Sequence, residues 1–296
     1  MPPSPVRPLA SGTSVRDALD GAATALAAAG CETPRLDAEL LLAHALGVPR
    51  ERLYTAAAAS AREGEAELTV AGPAVRVFQD FVKRRSVERE PVAYILGCRH
   101  FRRLQLTVDR RALIPRPETE LLVEVALGLP PGLRVLDVGT GSGAVALALK
   151  DERPDLEVTG SDLSEAALQL ARANGEQLGL DVHWLSANLL QDVPDRYDAI
   201  LSNPPYVREG ERALLAPEIV RHEPASALFA GEDGLDVIRP LIEQVGMCPS
   251  VHLLALEIGA GQAKVVDGLM RAAGFPDVHA ERDLAGIERV VVGERP

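Results

Sequence analysis

The four residues Asn203-Pro204-Pro205-Tyr206 are the part of this sequence best suited to chemistry. They follow Tyr197-Asp198-Ala199-Ile200-Leu201-Ser202, an apolar run with the length and flanks of a buried strand, so the pattern predicts that they sit at that strand's carboxyl end. Ligands bind at that edge in open α/β sheets. The chemistry such a turn suits is alkylation of a planar nitrogen. An amide or aminopurine nitrogen has a delocalised lone pair, so a catalyst must hold both N–H groups and present the lone pair to an electrophile. The side-chain oxygen of Asn203 can accept one hydrogen and the carbonyl of Pro204 the other, because proline fixes φ and keeps the residue before it out of helix. Tyr206 offers a flat ring for the planar group to lie against. No strong base is required, since the proton can leave once the nitrogen is cationic. An Asn-Pro turn that merely closes a strand is the competing reading.

A second group lies upstream. Leu133–Val138 reads as a buried strand, and Gly139-Thr140-Gly141-Ser142-Gly143 turns directly into a helix over Ala144–Lys150. Glycines there permit a tight turn and close approach of a ligand to the backbone. Asp162 ends a strand over Glu157–Ser161, 19 residues beyond Gly143, where a carboxylate can accept both hydroxyls of a ribose. A plain turn or a nicotinamide site also uses glycines, but GxGxG with Asp137 two residues upstream fits an S-adenosylmethionine pocket better than the dinucleotide GxGxxG. Adenosine on one side, a cationic methyl sulfonium in the middle and a clamped nitrogen beyond make an in-line methyl transfer, with alignment and electrostatics supplying the rate.

The elements that must position these groups follow from the pattern around them. From Leu133 strands alternate with helices, which signals a doubly wound, Rossmann-like α/β sheet. Ser164 opens a helix ending at Gly179; Val182–Leu185 is a third strand leading to Ala187-Asn188-Leu189, and the fourth delivers Asn203. A helix over Asp236–Gln244, a strand over Val251–Ile258, a helix over Gln262–Ala273 and strands near Val278–Arg282 and Arg289–Val292, one of them antiparallel, complete seven strands. Upstream, residues 14–86 read as wholly helical. Ser14 with Asp17 resembles a capping box, Thr33-Pro34 opens a second helix that runs to Gly47, a shorter helix spans Glu51–Ser60, and Val75–Arg85 resumes after the break at Gly72-Pro73. Val92–Gly97 and Leu104–Val108 read as short strands of a β-hairpin around Cys98–Arg103. The expected organisation is a mobile tail over 1–13, a helical recognition domain over 14–88, a hairpin linker over 89–115 and the catalytic domain over 116–296.

Composition narrows the class. The chain has 296 residues, 47% hydrophobic and 25% charged, enough for two domains with real cores. No run of 18 apolar residues exists and Met1–Ala10 lacks a signal-peptide core, so no membrane association is expected. Cys31, Cys98 and Cys248 are scattered without CxxC spacing, which argues for reduced thiols in the cytoplasm, and the dispersed histidines give no reason to expect a metal. Residues 1–130 carry 17 Lys and Arg against 16 Asp and Glu, whereas 131–296 carry 14 against 27. Within the first part Lys83–Arg116 holds ten basic and three acidic residues, which predicts a local basic face, either solvated or a docking surface for an acidic partner.

Taken together, the sequence resembles the release factor glutamine methyltransferases, which modify the glutamine of the Gly-Gly-Gln loop in peptide chain release factors. The resemblance covers nearly the whole chain. It rests on Asp37–His44, Pro91–Gly97, Ile114-Pro115-Arg116-Pro117-Glu118-Thr119-Glu120, the glycine loop, Asn203–Tyr206, and His222-Glu223-Pro224 through Ala227-Leu228. It implies a class I methyltransferase fold, S-adenosylmethionine held by Gly139–Gly143 and Asp162 and released as S-adenosylhomocysteine, no metal, the glutamine amide held by Asn203–Tyr206, and a helical domain that grips the release factor. A cytoplasmic monomer is expected. Where the family usually has Asp followed by an aromatic residue around adenine, this chain has Asn188-Leu189: Asn188 can still accept from the adenine amino group, whereas Leu189 gives apolar contact without stacking. Phe101, followed by Arg102 where the family often has a second aromatic, either packs over the site or fills the hairpin core. The rivals are a glutamine methyltransferase for a ribosomal protein, adenine-N6 or guanine-N2 nucleic-acid methyltransferases that share the tetrapeptide, and a non-catalytic binding module. Low aromatic content and the absence of an aromatic-interleaved basic face weigh against a nucleic-acid substrate.

Overall fold

The structure is a computed structural model that describes residues 12–54, 69–194 and 196–296. The expected tail up to residue 11, most of the helix expected over Glu51–Ser60 and residues 61–68 lie outside the described residues. By internal packing the chain divides into two units, the first reaching Gly97 and including Pro217–His222, the second made of Cys98–Ala216 and Glu223–Pro296.

The first unit is helical. Helix α1 (Val15–Ala28) begins where Ser14 Oγ accepts the Asp17 N–H at 3.1 Å, as the capping pattern predicts. Helix α2 (Pro34–Leu46) starts on proline and ends at Gly47, whose φ of +64° suits glycine. Thr33 does not cap it; its hydroxyl donates to Asp37 Oδ1 at 2.8 Å instead. With α3 (Pro73–Ser86) and α4 (Val92–Leu96), these helices bury Leu19, Leu26, Leu41, Leu42, Phe78 and Ile95 in one core. Two expectations fail here. A two-residue antiparallel pair, Thr13-Ser14 with Thr69-Val70, interrupts the wholly helical reading. Val92–Gly97 is a helix rather than a strand: Tyr94 and Ile95 N–H both donate to the Pro91 carbonyl, and Gly97 at φ +71° stops the turn. The strand preference of Val, Tyr and Ile yields to burial of Tyr94 and Ile95.

The second unit opens with a hairpin of β1 (Cys98–Phe101) and β2 (Leu104–Thr107), so the first strand is the stretch expected to be the loop. Helix α5 (Glu120–Leu127) precedes the main sheet, whose strands are β3 (Arg134–Val138), β4 (Glu157–Asp162), β5 (His183–Ser186), β6 (Ala199–Ser202), β7 (Leu253–Glu257), β8 (Asp277–Arg282) and β9 (Glu288–Glu294). Their order is β8-β9-β7-β6-β3-β4-β5, with β9 antiparallel to both neighbours and the rest parallel. The order reverses at β3, flanked by β4 on one side and β6 on the other. The carboxyl ends of those three strands therefore bring residues 139–143, 162–164 and 203–206 to one edge. Helices α6 (Ala144–Glu152), α7 (Glu165–Leu178), α8 (Ile238–Gly246) and α9 (Ala263–Ala272) belong to the same unit, and Leu136, Ile200, Leu254, Ile238, Leu241 and Val266 are fully buried in its core.

Lys83–Arg116 is not one free basic face. Arg84 pairs with Glu90, Arg85 with Asp37 and Glu218, and Arg89 with Glu218. Arg102 pairs with Glu152 and Glu124, Arg103 with Glu152, Arg111 with Asp109, and Arg116 with Glu223. A charge count along the chain cannot reveal these partners, which are mostly distant in sequence.

Candidate active site

A cavity of about 520 Å³ opens at the sheet edge, a size typical of small-molecule sites. Glycine loop residues Gly139–Ser142, together with Asp162, Asn188, Leu189, Asn203, Pro204 and Pro205, line it. Gly143 stands behind, as the residue from which α6 starts. Gly139 and Gly141 have φ of +72° and +59°, the region side chains avoid, and a Cβ on Gly139 would meet no atom within 4 Å. The loop thus leaves space beside its backbone.

A nucleoside fits this arrangement. Asp162 Oδ2 accepts the Gly141 N–H at 2.9 Å and Oδ1 accepts the Ser164 N–H at 2.8 Å, so each carboxylate oxygen is fixed and keeps a lone pair for a ribose hydroxyl. Burial raises the Asp162 pKa, and the N–H groups of Ser164, Gly141 and Leu163 oppose that rise. Asp137 lies deeper. Burial pushes its carboxyl up to about 7, against hydrogen bonds from Thr140 Oγ1 at 2.6 Å and the Ala146 N–H at 3.3 Å. Leu189 holds φ +54°, a conformation unusual for a side-chain-bearing residue. Asn188 Nδ2 donates to Gln191 Oε1 at 3.3 Å, which leaves Asn188 Oδ1 as its acceptor toward a ligand.

Asn203 follows β6, and its Nδ2 donates to Thr119 Oγ1 at 3.0 Å. The side-chain oxygen is thereby the free end of the amide at the cavity wall. Tyr206 ends the turn just outside the residues that line the cavity, and its hydroxyl donates to Glu257 Oε1 at 3.1 Å. Burial and the neighbouring Glu257 charge both raise the Tyr206 pKa. Glu257, 1% exposed, is itself pushed up to about 7 by burial, against the Thr119 and Tyr206 hydroxyls. Phe101 is buried at 1% exposure and is not among the residues that line the cavity.

Several positioning groups escape a sequence reading. Asn174 on α7 binds the Thr107 N–H and carbonyl at 2.9 and 3.0 Å and donates to the Ser142 carbonyl at 2.9 Å, tying the hairpin to the glycine loop. Glu223 accepts Arg116 Nη2 at 2.6 Å and the Ile114 N–H at 3.3 Å. Gln262 Oε1 accepts the Gly259 N–H at 2.8 Å while Nε2 donates to the Tyr206 carbonyl at 3.3 Å, pinning the end of the tetrapeptide turn. Among the described residues no cluster of three or more His, Cys, Asp or Glu is arranged to hold a metal ion.

Two family models match the chain, the methyltransferase small domain over residues 117–232 and the PrmC N-terminal domain over 17–97. The chain is 42% identical to the release factor glutamine methyltransferase of Deinococcus radiodurans, covering 95% of this chain and 98% of that one. Its counterpart from Mycolicibacterium smegmatis is 39% identical over 96% and 98%, and that from Gloeobacter violaceus 47% over 71% and 76%. Among solved structures, the catalytic domain of hMettl16 gives a TM-score of 0.52 at 16% identity, covering 81% of this chain and 90% of that one. A T. thermophilus 16S rRNA methyltransferase in complex with AdoMet gives 0.50 at 19%, covering 67% and 50%. At such identities the likeness is one of fold.

Proposed function

The chain belongs to the release factor glutamine methyltransferase family, and we propose that the cavity at the sheet edge is where it carries out that family's reaction. The protein is an S-adenosylmethionine-dependent enzyme that methylates the side-chain amide nitrogen of the glutamine in the Gly-Gly-Gln motif of peptide chain release factors. S-adenosylmethionine supplies, when bound, a methyl group on a cationic sulfur. Everything else falls to the chain's own residues. Asp162 takes the ribose hydroxyls, the Gly139–Gly143 backbone admits the nucleoside and its amino-acid tail, and Asn188 and Leu189 meet the adenine. Asn203 Oδ1 and the Pro204 carbonyl each accept one hydrogen of the glutamine amide, which holds the nitrogen in plane and frees its lone pair. Pro205 shapes the turn, and Tyr206 anchors it through Glu257. No residue need act as a strong base, because a methylated amide nitrogen gives up its proton to water. Rate comes from alignment.

What carries this reading is the Asn203 Nδ2 bond to Thr119, which leaves an acceptor oxygen on the same cavity wall as the glycine loop and Asp162. The helical unit is the part we assign to gripping the release factor. We assign the protein to the cytoplasm as a monomer that needs no metal; three free cysteines fit a reducing compartment. Asn203→Ala tests the assignment: methyl transfer should be lost while calorimetry shows cofactor binding nearly intact. Parallel loss of both would remove Asn203 from the acceptor clamp.

A further inference from the structure

The groups behind Asn203 have a direction of their own. Thr119 is buried, lines the cavity and accepts Asn203 Nδ2 at 3.0 Å. A hydroxyl both donates and accepts, so Thr119 alone could face either end of an asparagine amide. Glu257 removes that ambiguity. It sits at the end of β7, 1% exposed, and the Tyr206 hydroxyl donates to its Oε1 at 3.1 Å. Its Oε2 is buried without a hydrogen-bond partner, and the Thr119 hydroxyl is one of the groups that favour its charged form. An ionised carboxylate accepts hydrogens only. A Thr119 hydrogen directed to the unpartnered Glu257 Oε2 would leave a lone pair for Asn203, and the one group on Asn203 that matches a lone pair is Nδ2, the atom found there.

We propose that Thr119 is a positioning residue for the methyl acceptor: its hydroxyl, directed by Glu257, holds Asn203 Nδ2 and so makes Asn203 Oδ1 the atom offered to the substrate. This deepens the glutamine-amide reading above and rests on it. An amide turned the other way would set N–H against N–H, and the clamp on a primary amide would fail. Protonation of Glu257 removes that constraint, since a neutral carboxyl can donate as well as accept. Around Glu257 stand the Tyr206 and Thr119 hydroxyls, Arg289 from β9, which lowers its pKa and is itself held by Asp283, and Glu118, which raises it. Ordered clamping therefore belongs to the charged form, present above about pH 7.

The test compares Thr119→Val, which removes the hydroxyl and keeps the shape, with Thr119→Ser, which keeps the hydroxyl, and with Glu257→Gln. Thr119→Val should lower kcat on a release factor roughly tenfold to a hundredfold, the scale of a misplaced reacting group, while Thr119→Ser retains most of it. Cofactor affinity, followed by fluorescence of Trp184, should be unchanged in both. In nuclear magnetic resonance one Asn203 side-chain amide hydrogen should exchange slowly in the wild type and in Thr119→Ser and lose that protection in Thr119→Val. The kcat of the wild type should fall as pH drops through about 7, a limb absent from Glu257→Gln. Wild-type kcat in Thr119→Val, equal damage in Val and Ser, or an Asn203 signal indifferent to Thr119 would each overturn the proposal. A wild type that leaves the release factor unmethylated would sink the assigned reaction instead, and the Asn203 signal would still decide the hydrogen-bond order.

Discussion

The oxygens of Asp162 fix the backbone at Gly141 and Ser164, and each keeps a lone pair for the ribose hydroxyl we assign to it. Asp162→Ala should weaken cofactor binding by roughly 1.5–3 kcal/mol for each charge-assisted hydrogen bond removed, measured by calorimetry. Unchanged affinity would take the residue off the ribose. Its place on the cavity wall is legible because a strand followed at fixed spacing by an acid is a neighbour-to-neighbour pattern. The same holds for Asn203, Pro204 and Pro205, which the turn after β6 brings to the same wall. The hydroxyl bond of Tyr206 is not legible in that way, since its partner Glu257 lies 51 residues later in the chain. Thr119 and Glu223 lie in stretches that carry the family resemblance, yet neither they nor Gln262 reveals its partner, which lies far along the sequence.

At the scale of elements, the glycine loop is held from behind by β5. The chain's single tryptophan, Trp184, lies so close to β4 that a Cβ on Gly160 would fall 2.5 Å from its ring and 2.9 Å from Thr140 Oγ1. Gly160→Ala should therefore cost about 1–3 kcal/mol, an overpacking penalty, seen as a lower denaturant midpoint. A neutral result would mean that the ring moves aside freely. Strand and helix order in the second unit could be read in the sequence because apolar runs alternate with capped helices, Ser164 and Gly179 marking the ends of α7 as expected. Val92–Leu96 could not, since five residues with strand-prone side chains become a helix only when a helical core is there to receive Tyr94 and Ile95. Nor could the role of Arg102. Its guanidinium binds Glu152 at 2.8 and 2.9 Å and Glu124 at 3.0 Å, so Arg102→Glu should destabilise the fold before it changes any association rate. A melting temperature equal to wild type would return Arg102 to the surface-docking role.

The whole molecule carries a formal charge of −12, yet the carboxyls of Asp137, Asp162 and Glu257 sit where charge is disfavoured. Burial lifts Asp137 from 3.8 to about 7 and Glu257 from 4.5 to about 7. Between the lower and upper values the folded chain binds more protons than the unfolded one, so the contribution of these two groups to stability is greatest at low pH and falls as pH rises through about 7. Asp137→Asn keeps the acceptor for Thr140 and Ala146 but cannot titrate, and denaturation free energies should then vary less steeply across that window. A slope identical to wild type would show that Asp137 titrates normally. The architecture itself, a helical unit and a seven-stranded doubly wound unit, follows from sequence patterning, whereas the return of Pro217–His222 to the helical unit depends on Arg85 and Arg89 reaching Glu218 across more than a hundred residues. The most direct measurement is mass spectrometry of a purified release factor incubated with this protein and S-adenosylmethionine. One added methyl on the glutamine of the Gly-Gly-Gln loop is the predicted result; an unmodified glutamine, with label instead on ribosomal protein or nucleic acid, would contradict it.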